Sequence, residues 1–171
     1  MSEVSSPALS VTGLFAERDE RRRRDQEAAE QLQRRKEEEL ADFRRRLDNF
    51  QLTDEIIASG LNRIKGAFER GETEIMISSF PSTFCTDNGR AITNAGAPPI
   101  VKPTGEEAAK LAEEPEWLAT LPAGARLVYN YWKANLKPGG FEFSARIINY
   151  PGGMPGDVGL FISWPKSALE A

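Results

Sequence analysis

The stretch TDEIIASGLNRIKGAFERGETEIMISSF, residues 53–80, reads as a helix, a glycine stop and a strand. Ile57, Leu61, Ile64 and Phe68 recur at spacings of four, three and four, which places them on one helical face. Thr53 is suited to cap the start, and Asp54 and Glu55 set negative charge in the first turn, where the helix dipole favours it. Arg70 followed by Gly71 is a C-terminal signature, because glycine accepts the left-handed conformation that ends helices. Glu72 to Phe80 is rich in β-formers. Strict alternation puts Ile75 and Ile77 on one face and Met76 and Phe80 on the other, and Pro81 stops the strand. A helix packed on a strand is the expected nucleus of the fold.

The C-terminal third supplies two more strands. In Phe141 to Tyr150, Phe141, Phe143, Ala145 and Ile147 share one face while Glu142, Ser144 and Arg146 share the other. A Pro/Gly loop from Pro151 to Asp157 leads into Val158, Leu160, Ile162 and Trp164, again on one face, so the pair reads as an antiparallel hairpin. Between the first strand and this hairpin lies the longest irregular stretch, Pro81 to Thr104. Its Asp87-Asn88-Gly89 turn signal predicts a short hairpin from Thr83–Thr86 into Arg90–Thr93. Thr104 is suited to cap a short helix from Gly105 to Ala112, and Pro115 to Leu121 reads as a helical turn burying Trp117, Leu118 and Leu121. Pro122 opens a longer helix to Leu136, with Leu127, Val128, Tyr131 and Leu136 toward the core and Lys137-Pro138-Gly139-Gly140 as its stop. This order of elements gives an α+β class: a small antiparallel sheet of three main strands, helices on one face, and a long charged helix ahead of it.

That leading helix is read from charge. Residues 1–15 are expected to be disordered, residues 16–50 to form a helical arm, and residues 51–171 to form the α+β body. Between Glu17 and Asp48 there are 11 Lys+Arg and 11 Asp+Glu, and neither Gly nor Pro. Acid-first pairs four apart, such as Glu17/Arg21, Glu20/Arg24, Glu30/Arg34 and Asp42/Arg46, each stabilise a helix by about 0.2–0.5 kcal/mol. Leu40, Phe43, Leu47 and Phe50 keep a three–four–three seam of the bundle kind. Gln51-Leu52-Thr53 reads as a bend before the next helix, with a continuous helix as the alternative.

Composition narrows the function classes. Histidine is absent and Cys85 is the one cysteine, which removes imidazole bases, Ser-His and Cys-His dyads, and His- or Cys-rich metal sites within one chain. No cofactor and no metal site is expected. A net charge of −4 does not match nucleic acid. The arginine runs Arg21–Arg24 and Arg44–Arg46 are offset by interleaved acids, so nucleic-acid binding is disfavoured. Neither a secretory signal nor a membrane span is expected, and a single cysteine fits the cytoplasm.

Two sets of residues are candidates for function. Leu32, Leu40, Phe43, Leu47 and Phe50 on the arm would carry homo-oligomer formation, a dimer being favoured, or the docking of a protein partner. Cys85, Asp87, Arg90 and Asn94 in the irregular stretch, with Arg146 from the sheet, form an alternative small-anion or enzymatic site. Arg90 is placed to activate the thiol or hold an anion, but without histidine the small buried hydrophobe is the preferred reading of Cys85. The expected function is therefore a non-enzymatic interaction protein, with the ligand-binding body as the alternative.

Overall fold

Helix α1 starts where a serine can cap it. The computed structural model describes residues 8–95, 105 and 114–167. In it Ser10 Oγ accepts from Gly13 N at 3.0 Å, and α1 runs from Val11 to Asp48. This corrects the expected boundary: residues 11–15 are helical because Ser10 satisfies an otherwise unpaired N–H of the first turn. Residues 1–7 of the expected disordered segment lie outside the described residues, as does most of the helix expected at 105–112.

The chain divides into two compact units, Met1–Phe43 and Arg44–Ala171. The first is the greater part of α1, held by its own charge pairs. Glu20 receives Arg23 at 2.7 Å and Arg24 at 3.3 Å, and Glu30 receives Arg34 at 3.9 Å. None of the 38 residues of α1 is buried.

The second unit is the α+β body. Helix α2 (Asp54–Glu69) follows a non-helical break at Phe50–Thr53, and Thr53 Oγ1 accepts from Ile56 N at 3.3 Å. Its buried residues are Ile64 and Ala67, while Leu61 and Phe68 of the expected stripe stay exposed. Gly71, with φ +80, reverses the chain into strand β1 (Glu74–Pro81). Strands β2 (Glu142–Ile147) and β3 (Asp157–Ser163) complete an antiparallel sheet in the order β1-β3-β2. Its core face carries Val158, Leu160 and Ile162, which face Ile147, Ala145 and Phe143 on β2.

One register differs from simple alternation. The β1–β3 pairing shifts between Met76 and Ser78, leaving Ile77 as a bulge. Beyond it Phe80 faces Val158 and is buried, whereas Met76 faces Phe161 and is exposed. Met76 and Phe80 therefore lie on opposite faces, because the bulge inverts side-chain parity for the rest of the strand.

The hairpin expected at residues 83–93 is replaced by a 3-10 turn (Ser82–Phe84) and helix α3 (Arg90–Ala95). Asn88 and Gly89 take positive φ as the turn signal implies, but the Asp87 carboxylate accepts from Gly89 N at 3.0 Å and Ala91 N at 2.8 Å. Capping by Asp87 directs the chain into a helical turn instead of a returning strand.

Helix α4 (Ala123–Tyr131) continues through a π-helical turn, Trp132–Leu136, and a 3-10 turn, Lys137–Gly139, and Gly140 at φ +94 closes it. Ala125, Tyr129 and Trp132 are its buried side chains; of the expected face Val128, Tyr131 and Leu136 are half-buried, whereas Leu127 is exposed. The aromatic rings decide this rotation. Tyr129 and Phe143 meet edge-on at 5.3 Å, Trp117 stacks on Phe143 at 5.9 Å, and Trp132 lies 5.6 Å from the same ring. Trp132 Nε1 donates to Phe141 O at 3.0 Å, so its one polar atom is satisfied on burial.

Candidate functional site

Three places in the chain can carry function, and each is built by different elements. The first is the irregular stretch with Cys85. Phe84 ends the 3-10 turn and Cys85 follows it, both buried, and Thr86 N donates to Thr120 O at 2.9 Å, which ties the stretch to the turn before α4. Cys85 is 2 % exposed. Burial, with the Asp87 charge nearby, pushes its thiol up to about 11. A nucleophilic cysteine needs the opposite shift. Asp87 is engaged as the cap of α3, while Arg90 and Asn94 are exposed on that helix. Arg146 lies on the outer sheet face, paired with Glu74 of β1 and with its guanidinium 3.8 Å from the centre of the Phe161 ring. The structure thus gives Asp87 and Arg146 structural partners and sets Cys85 beneath the surface.

The thiol makes a direct pH prediction. Its folded pKa lies above that of the unfolded chain, so its contribution to stability is fully present below the ordinary thiol range and is lost as pH rises through about 11. At pH 8 the native protein is expected to react with a thiol reagent far more slowly than the same protein in denaturant. Equal rates would show that Cys85 is accessible.

The second place is a cleft of about 460 Å3 within the body. Ile77 and Ile162 of the sheet form its floor, and α2 and α4 its walls through Ile57 and Val128. Leu47 and Phe50, where α1 ends, close one side. Arg63 at the rim donates to Met76 O at 3.0 Å, next to the bulge. The volume is that of a small-molecule site, and such sites are mostly apolar with few polar groups. Sequence reading missed this cleft, because its lining comes from separated elements and no local motif marks it.

The third is the surface of α1. Of the five residues expected at a partner interface, Leu32 and Leu40 are 54 % and 45 % exposed. Phe43 is half-buried. Leu47 and Phe50 instead pack on Gly124 of α4: a Cβ at Gly124 would overlap Leu47 O and lie 3.0 Å from Phe50 Cβ. Glycine there allows the end of α1 to approach the α4 backbone.

No protein family, curated protein or solved structure matches this chain. Among the described residues no group of His, Cys, Asp and Glu is placed to hold a metal ion, and no helix is long and apolar enough to cross a membrane.

Proposed function

We propose that this chain is a non-enzymatic, cytoplasmic interaction protein that self-associates through α1, with the α+β body as its cargo or docking module. One observation carries the reading: no residue of the 38-residue α1 is fully buried, and from residue 11 to residue 42 all but Glu20 are exposed. Most helical stability in proteins comes from packing an apolar face, and an isolated helix relies on its weak charge pairs. Leu14, Phe15 and Leu32 are exposed along it. A second copy of α1 would cover such side chains and hold the helix together.

Native mass spectrometry of the full-length chain at micromolar concentration tests this. The expected species has the mass of two chains. A monomer at that concentration would overturn self-association.

The cleft favours a second reading, a body that binds a small apolar molecule between α2 and α4. The same spectrum separates the two, because a bound molecule adds a discrete mass to each chain whatever the subunit number.

A further inference from the structure

We infer that two copies of α1 pair antiparallel, with the two-fold axis level with Glu30, and that opposite charges along one seam set this register. The inference rests on the self-association proposed above and adds its orientation and its contacts. Leu14, Arg18, Arg21, Asp25, Ala28, Leu32, then Arg35, Glu39 and Asp42, recur at alternating spacings of four and three. This is the period of an a/d seam, so the residues share one face of α1.

Antiparallel pairing about Glu30 sets Ala28 against Leu32 on each side of the axis. The next layer out brings Asp25 against Arg35, and the one after it Arg21 against Glu39. Arg18 then falls opposite Asp42. Every charged layer joins opposite signs, and symmetry makes each contact twice. At the flank Phe15 falls level with Phe43. Arg22 and Lys36 form a like-charge flanking apposition, and both are exposed.

Among the described residues Arg21, Asp25, Arg35 and Glu39 form no ion pair. All four are exposed. A parallel, in-register pair would set Arg21 on Arg21, Asp25 on Asp25, Arg35 on Arg35 and Glu39 on Glu39, repulsive at every layer. Moving the antiparallel register by one heptad toward the N-terminus faces Arg18 with Arg35, and moving it the other way faces Asp25 with Asp42. Like charges placed opposite one another are strongly unfavourable in an interface. Charge therefore favours this pairing over the parallel pair and over either one-heptad shift.

Charge exchange on the full-length chain tests the pairing. Arg21→Glu and Glu39→Arg are each expected to raise the dimer dissociation constant at least roughly tenfold, since each places two like-charge contacts in the dimer. The double variant Arg21→Glu/Glu39→Arg is expected to return to within about threefold of the parent, because the pair is rebuilt with its signs exchanged. Both residue types favour helix, so at concentrations where each variant is still dimeric its circular dichroism should match the parent. Net charge does not account for such a pattern, because Glu39→Arg brings the negatively charged chain closer to neutrality and would then strengthen the dimer. A dimer whose affinity ignores the single changes, or is not rescued by the double change, overturns the antiparallel register while leaving self-association intact. A monomeric parent chain overturns both.

Discussion

Phe80→Ala is expected to destabilise the body by about 3–5 kcal/mol, the usual cost of emptying a buried aromatic site. Phe80 is 1 % exposed, faces Val158 across the β1–β3 ladder and lies parallel to the Phe84 ring at 6.5 Å. Its removal takes away contacts to the sheet and to the 3-10 turn that carries Cys85. Domains of ordinary size have only about 5–15 kcal/mol in all, so this change alone should bring the midpoint of urea unfolding down markedly. Met76→Ala is the informative control. Met76 lies on the same strand but on the outer face, 40 % exposed, and should cost below about 1 kcal/mol. The contrast depends on the bulge at Ile77. Without that register shift both side chains would share a face, so similar costs for the two variants would show that β1 alternates without interruption.

That bulge also shows what a sequence can and cannot disclose. The Thr53 cap, the Gly71 stop and the alternating faces of β2 and β3 were readable, because each depends on residues within a few positions of one another. The parity of Phe80 depends on how β1 meets β3, which no local pattern within β1 records. The same limit applies to α4. Leu127 and Tyr129 both sit on apolar stripes, and the choice between them is made by Trp117 and Phe143, which arrive from other elements. Asp87-Asn88-Gly89 marked a chain reversal correctly in its positive φ values, yet the Asp87 carboxylate served as a helix cap. A turn signal says that the chain bends and leaves the next element, helix or strand, undecided. Cys85, Asp87, Arg90 and Asn94 are neighbours in the sequence, whereas the cleft is assembled from α2, α4, the sheet and the end of α1. The charge balance of α1 was legible from composition. The complementarity of its seam emerges only when a continuous helix from Val11 to Asp48 is laid against a second copy.

Gly124→Ala should move stability in the direction opposite to the usual helical rule. Replacing glycine inside a helix by alanine ordinarily stabilises by about 1 kcal/mol. At Gly124 the new Cβ would overlap the carbonyl oxygen of Leu47 and lie 3.1 Å from Leu47 Cδ1. A backbone carbonyl cannot swing aside as a flexible side chain can, so α4 and the end of α1 must separate. Overpacking of this kind costs about 1–3 kcal/mol. Gly60 in α2 is the matched control, since a Cβ there meets nothing within 4 Å, and Gly60→Ala should stabilise by up to about 1 kcal/mol. Thermal melts of the two variants should therefore shift in opposite directions. Stabilisation by both would remove the close approach of Leu47 to α4. Native mass then separates the proposed pairing of α1 from the packing of its end on α4. The charged layers of the seam, Arg18 to Asp42, precede Arg44, whereas Leu47 and Phe50 belong to the body, so Gly124→Ala should lower the melting temperature and leave a dimer at temperatures where the body is folded. Dimerisation lost along with body stability would place the contact between copies on the body and not on the exposed helix.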